Sequence, residues 1–375
     1  MKYYIIAGEA SGDLHASNLV KEIRKQDPEA HFRAWGGDMM KKQGAELVKH
    51  INDLAFMGFA EVLTNLRTIL GNISFCKSDI LQYQPDAVIF IDYPGFNLRI
   101  AKFCKQQGIR SIYYISPQVW AWHKSRIKKI RRDIDKMLVI LPFEKDFYSQ
   151  HEYKVDFVGH PLLDALQPYI GAAATPSFRE KYHLPDKKII ALLPGSRKQE
   201  ISRMLPVMGA MVSQFPQYQF VIAATSAHNR EYYQQFLPPS EKSIPLVTGD
   251  TYKLLQNAYA ALVTSGTATL ETALIGVPQV VCYKAARLSY VIAKNLVNIK
   301  YISLVNLIMD QEVVKELIQQ DFTEDRLADE LGKITQNDDR RKTILEKYAL
   351  LREKLGANGA SEKAATIITD FVKAR

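Results

Sequence analysis

The chain has 375 residues, enough for two globular domains, and its 47% hydrophobic and 24% charged residues are ordinary values for a folded protein. A formal net charge of +9 points to an anionic partner (a nucleotide, a nucleic acid or an acidic lipid), and no nucleic-acid-binding signature accompanies it. No run approaches the roughly 18 apolar residues of a membrane span, and the three scattered cysteines, Cys76, Cys104 and Cys282, lack metal-ligand spacing and fit a reduced cytosolic setting.

The first residues turn polar too soon for a signal peptide and read as a buried strand over 3–7. Further strands are predicted over 87–92, 111–116, 137–141, 188–193, 219–224, 260–264 and 279–283. Helical patterns over 14–24, 99–107 and 201–214 lie among them. Alternation of this kind predicts an α/β chain whose parallel sheets are covered on both faces. Ligands of such folds sit beyond the carboxyl ends of the strands, so the residues just after each strand carry the interest.

The first strand runs into Gly8-Glu9-Ala10-Ser11-Gly12-Asp13 and a helix. Glycines there allow close approach of a ligand, and the helix start offers free N–H groups; a plain strand–helix turn explains the residues equally well. Over 55–81, Phe59, Val62, Leu63, Leu66, Ile69, Leu70 and Ile73 recur at helical spacing. That stripe is either a core face or an apolar patch for acyl chains or a membrane surface. The strand over 87–92 ends in Asp92-Tyr93-Pro94-Gly95-Phe96-Asn97. Asp92 lies too early to cap the following helix, and a carboxylate held there by a proline turn is placed as a general base.

After the strand over 111–116 come Trp120 and Trp122, then a basic helix with Arg126, Lys128, Lys129, Arg131 and Arg132 above Ile127, Ile130 and Ile134. Tryptophans beside a basic face suit an anionic interface, while a solvated helix packed through its isoleucines is the plainer account. Small residues and prolines over 167–177 mark a linker. Beyond it, the strand over 188–193 leads into Pro194-Gly195-Ser196-Arg197, whose arginine forks onto phosphate oxygens. The strand over 260–264 leads to Ser265, Gly266, Thr267, Ala268 and Thr269, a helix start suited to a diphosphate. Glu271, one turn after Thr267, can accept from a ribose diol; ordinary capping by Ser265 or Thr267 is the competing account.

Taken together these segments resemble the lipid-A-disaccharide synthase family. The matching pieces run in family order: Ala7 to Asp13, Trp35-Gly36-Gly37, Met57 to Leu63, Ser116-Pro117 through Trp120-Ala121-Trp122, Val158-Gly159-His160-Pro161-Leu162, Leu193 to Arg197, Ser265 to Glu271 and Asn306-Leu307-Ile308. The resemblance implies a GT-B glycosyltransferase: two Rossmann-like domains facing a cleft, with a C-terminal helix crossing back to the first. Residues 1–167 would form the acceptor and catalytic domain, 178–345 the UDP-sugar domain, and 346–375 the returning tail. It implies an inverting reaction of UDP-2,3-diacylglucosamine with 2,3-diacylglucosamine 1-phosphate (lipid X), giving the β-1,6-linked disaccharide 1-phosphate and UDP, with no metal and no cofactor.

By the same resemblance Asp92 is the base. Arg197, Ser196 and the helix start at 265–269 hold the diphosphate, Glu271 the ribose, and Asn306 lies at the donor site. Ser11, Gly12, Asp13 and Met57 would line the acceptor side. Gly95 stands where the family often has a second aspartate and Gln118 where a serine is common, so neither side chain inherits a role. Two acylated substrates also favour the apolar and basic surfaces as peripheral contacts with the anionic inner face of the inner membrane. No nucleic acid is expected, and the oligomeric state stays open. A UDP-N-acetylglucosamine 2-epimerase-like enzyme is an alternative that would need no acyl surface. A two-domain periplasmic-type sugar-binding protein is another, at odds with the start of the chain.

Overall fold

The computed structural model describes residues 1–54, 66–120, 126–171, 176–285 and 300–374. The sequence readings of Met57, Phe59, Val62, Leu63 and Trp122 lie outside those residues. The chain forms two compact units, Met1–Ala165 with Leu355–Arg375, and Leu166–Lys354.

The first unit is built on β1 (Lys2–Ala7), β2 (His31–Gly36), β3 (Glu46–His50), β4 (Ala87–Ile91), β5 (Arg110–Tyr114), β6 (Lys136–Val139) and β7 (Asp156–Phe157). All pair in parallel, in the order β3-β2-β1-β4-β5-β6-β7. Tyr3 to Ala7 of β1 and all of β4 are buried, as unbroken apolar runs must be when helices cover both faces. Those helices include α1 (Ala10–Gln26), α2 (Asp38–Lys42), α3 (Leu66–Tyr83), α4 (Pro94–Gln106), α5 (Arg126–Asp133) and α6 (Glu144–Ser149). The C-terminal helix Ala360–Lys373 belongs to the same unit. Asp164 accepts from the N–H groups of Gly359 at 2.6 Å and Ser361 at 2.8 Å, capping its start. Arg110 donates to the carbonyls of Phe371 and Ala374 at its end, where a cation meets the negative pole of the helix.

The second unit carries β8 (Ile189–Leu193), β9 (Gln219–Ala224), β10 (Leu246–Thr248), β11 (Ala258–Thr264), β12 (Gln279–Tyr283) and β13 (Lys315–Ile318), parallel in the order β10-β9-β8-β11-β12-β13. Its helices include α7 (Lys198–Gly209), α8 (Thr251–Asn257), α9 (Thr267–Ile275) and α10 (Leu304–Met309). In each sheet the strand order reverses between the first and fourth strands in sequence, β1 beside β4 and β8 beside β11. Ligands of doubly wound sheets bind at that reversal, outside the carboxyl ends of the strands.

Several boundaries differ from the sequence reading. The first unit ends at Ala165 and not at 167, and residues from Leu166 already belong to the second. Tyr169 packs against Tyr252 with ring centroids 5.2 Å apart and the rings tilted, which ties that stretch down. The tail does not separate at 346. The helix Asp338–Leu355 stays with the second unit to Lys354, because Ile344, Tyr348 and Leu351 form a buried stripe and Arg352 donates to the Leu274 carbonyl at 2.8 Å. The helix expected over 201–214 divides into Lys198–Gly209 and Met211–Gln214. Strands β2, β3, β7, β10 and β13 were not foreseen; most are short and lie toward the sheet edges, where half-exposed polar residues blur the apolar run.

Candidate active site

In the first unit the reversal brings Gly8 and Glu9, after β1, beside Asp92 and Tyr93, after β4; Ala7 and Ile91 are paired in register. Asp92 and Tyr93 both adopt left-handed backbone conformations, with φ of 44° and 50°. Two such non-glycine residues in succession store strain, and strain of this kind persists where the surroundings enforce it. Here the Asp92 carbonyl accepts from Asn97 Nδ2 at 2.7 Å and from the Tyr113 hydroxyl. The Tyr93 ring lies over Gly8, where a Cβ would meet it at 2.4 Å, so only glycine fits.

Asp92 thus sits just past the carboxyl end of β4. Solvent reaches it, yet protein atoms displace enough water to push its pKa up to about 6; the charge of Glu9 adds to the rise and the Tyr93 N–H opposes it. A carboxylate so tuned is ionised at neutral pH and basic enough to take a proton there.

The neighbouring residues of α1 behave differently. Ser11 is partly exposed. Gly12 lets α1 pack against β1, since a Cβ there would lie 3.1 Å from that of Ala7. Asp13 is buried, and its carboxylate accepts from the N–H groups of Gly37 at 2.8 Å, Met39 at 3.0 Å and Met40 at 3.2 Å. It caps the start of α2, with its carboxylate held by three amides.

One group the sequence reading missed is Glu144, buried at the start of α6 and accepting from Ile140 N and Leu141 N at 3.2 and 2.9 Å. Burial pushes its carboxyl up to about 7, against the pull of those amides and of Ser116 and Trp120. Its signal was the run Leu-Pro-Phe-Glu just past a strand.

The suspected surface residues separate. Leu66 opens α3. Ile69, with buried Ile73, Cys76 and Ile80, faces the core of the first unit, so it is not a surface contact. Leu70 is exposed, and Phe75 and Leu81 join it on the solvent side. Trp120 is half-buried with its ring edge-on to Phe143 at 5.0 Å, and so is not a free interfacial anchor. On α5 Ile127 and Ile130 are buried, Lys128 and Lys129 are exposed, and Arg126 is partly exposed.

In the second unit the two turns at the reversal are finished in opposite ways. After β8, Gly195 adopts φ +100°, and Glu200 folds back beneath it. Glu200 accepts from Ser196 N at 3.1 Å and Arg197 N at 3.2 Å, and pairs with the Arg197 guanidinium at 3.2 Å. The amides of this turn are therefore occupied, and what Ser196-Arg197 offers an anion is the exposed guanidinium.

After β11, no side chain among the described residues caps α9, whose N-cap is Gly266. The Ser265 hydroxyl donates to the Ile302 carbonyl and that of buried Thr269 to the Gly266 carbonyl. Gly266 is exposed, and Thr267 and Ala268 are partly exposed at the positive end of the helix. One turn on, Glu271 accepts from the Tyr252 hydroxyl at 2.8 Å; burial raises its pKa and that hydrogen bond opposes the rise.

Asn306 is fully buried and committed. Its Nδ2 donates to the Val314 carbonyl and to Glu316, and its Oδ1 accepts from Val313 N and Val314 N. Such a side chain has nothing left for a donor sugar. Glu316 in turn accepts from Ile302 N and Ser303 N. Asn306 thus acts from behind, fixing the segment that Ser265 bonds.

Residues 3–371 match the family model described as lipid-A-disaccharide synthetase. The lipid-A-disaccharide synthase of Syntrophus aciditrophicus is 42% identical over 378 residues, covering 98% of this chain and 97% of that protein. That of Geobacter metallireducens is 38% identical over 373 residues, covering 98% and 96%. Among solved structures, the UDP-GlcNAc 2-epimerase of Neisseria meningitidis bound to UDP-GlcNAc superposes with a TM-score of 0.70, covering 99% of this chain and 100% of that one. At 13% identity it shares the GT-B fold alone. With the family match spanning nearly every residue and relatives this similar end to end, the chain belongs to the lipid-A-disaccharide synthetase family.

Proposed function

We propose that this glycosyltransferase joins UDP-2,3-diacylglucosamine to 2,3-diacylglucosamine 1-phosphate, forming the β-1,6-linked disaccharide 1-phosphate and UDP. Asp92 is the base: as the acceptor's 6-hydroxyl attacks the anomeric carbon, its proton passes to the Asp92 carboxylate and the bond to the UDP oxygen breaks. Inversion at that carbon follows from a single displacement. The negative charge that develops on the leaving diphosphate is stabilised by the Arg197 guanidinium and the positive end of α9. Glu271 accepts from the ribose hydroxyls.

The observation that carries the mechanism is Asp92, strained into place at the sheet's reversal with a pKa near 6. The test is formation of disaccharide from the two diacylated substrates, with UDP release followed with and without the acceptor. UDP release or sugar epimerisation that ignores the acceptor would defeat this reading.

The protein works at the inner face of the inner membrane, where its acylated substrates reside. No helix among the described residues is long and apolar enough to cross a membrane. Leu70, Phe75 and Leu81 expose apolar surface, and Lys128 and Lys129 supply charge for anionic lipid. Flotation with anionic vesicles should recover the protein at low salt and lose it at high salt; no recovery at low salt rules out this peripheral contact.

A further inference from the structure

We propose that Tyr252 is a positioning residue that sets nucleotide specificity: its hydroxyl holds the Glu271 carboxylate in the orientation that accepts a ribose diol. The proposal rests on the ribose role given to Glu271 above.

Tyr252 lies on α8 and Glu271 on α9, the helices before and after β11. The Tyr252 hydroxyl donates to Glu271 Oε1 at 2.8 Å. The ring is itself held, with Tyr169 packed against it at 5.2 Å and an interplanar angle of 60°. Tyr169 is tied back in turn, its carbonyl accepting from Gln256 Nε2 one helical turn after Tyr252. A glutamate on a helix surface otherwise samples several rotamers, and fixing one before the ligand arrives removes that entropic cost from binding.

The chemistry suits a diol. Burial raises the Tyr252 phenol far above its ordinary value, so it stays a donor, and a donor to one carboxylate oxygen favours the ionised acid. The second oxygen, with the remaining lone pair of the first, can then accept from two vicinal hydroxyls. A site built to accept hydroxyl protons rejects a nucleotide that lacks them, because its carboxylate loses water without gaining partners.

The experiment is calorimetric binding of UDP and 2′,3′-dideoxy-UDP to the full chain, with donor KM and kcat measured alongside. In the parent protein UDP should bind about tenfold more tightly than the dideoxy analogue. Tyr252→Phe should lower that ratio at least about threefold and leave the affinity for the dideoxy analogue as it was. Donor KM should rise while kcat stays within about twofold. Tyr252→His, which returns a donor on a smaller ring, should restore part of the ratio and serves if the phenylalanine variant does not fold. A parent-like ratio in Tyr252→Phe, with the ratio collapsed in Glu271→Gln, overturns the role of Tyr252 and leaves that of Glu271 standing. A ratio that survives Glu271→Gln overturns both.

Discussion

The two sheets share a strand order, and the chemistry at their reversals is opposite. Beyond β1 and β4 the first unit places two carboxylates, Glu9 and Asp92, and lifts the pKa of the second by burial and by their mutual repulsion. Beyond β8 and β11 the second unit places a guanidinium and the uncapped positive end of a helix. Parallel topology decides where a ligand can sit. The two or three residues after each strand decide whether that place takes up a proton or holds an anion.

The contrast breaks most sharply at Asp92. Asp92→Asn keeps a side chain that tolerates the left-handed backbone and should lower kcat by about 10³-fold with UDP affinity unchanged. The parent kcat/KM should rise with pH through about 6 and then level, since the base works only when ionised. A profile already flat below that point excludes Asp92 as the base. The sign for stability is the reverse. A carboxyl whose folded pKa is raised favours the fold while it is neutral, and that contribution fades as pH rises through about 6. At pH 7 the asparagine variant should therefore be more stable by about 1 kcal/mol, after allowance for solvent screening, visible as a small rise in Tm.

On the cationic side, Arg197→Ala should weaken UDP binding about 30-fold, with Arg197→Lys recovering only part because a point charge replaces a fork. Unchanged affinity would leave the anion to the helix start alone. Asn306→Ala should cost the second unit about 2–3 kcal/mol in denaturant unfolding, since it strands the Val313 and Val314 amides in the interior. A loss of UDP affinity without that loss of stability would return Asn306 to the ligand. The smallest expected change is with Glu200→Gln, which removes the charge that shares Arg197 with the ligand and should tighten UDP binding about threefold. Weaker binding would mean that Glu200 steadies Arg197 for the phosphates and does not compete with them.

Much of this was visible in the chain itself. The buried runs of β1, β4, β8 and β11 stood out because strands covered on both faces need no polar alternation, and the residues following them were found for the same reason. Asp92 was singled out by elimination, as a carboxylate too early to cap the next helix. Residues with committed side chains were harder to read. Asp13 and Asn306 look like ligand groups in a linear sequence because they are polar and follow strands or precede helices. Their partners lie 24 and 7 residues away or further, and no local pattern announces them. The stripe on α3 likewise divided only when the core showed which face Ile69, Ile73, Cys76 and Ile80 take, leaving Leu70, Phe75 and Leu81 outside.

By itself the sequence determined the α/β class, the ends of the central strands and the residue types at those ends, since hydrophobic burial and turn chemistry are local in the chain. Only the tertiary structure decided that β1 lies beside β4 and β8 beside β11, that Glu9 faces Asp92, and that Tyr252 meets Glu271. Those pairings depend on strand order and on hydrogen bonds between distant residues, and it is proximity in space, not spacing in the chain, that shifts a pKa or fixes a rotamer.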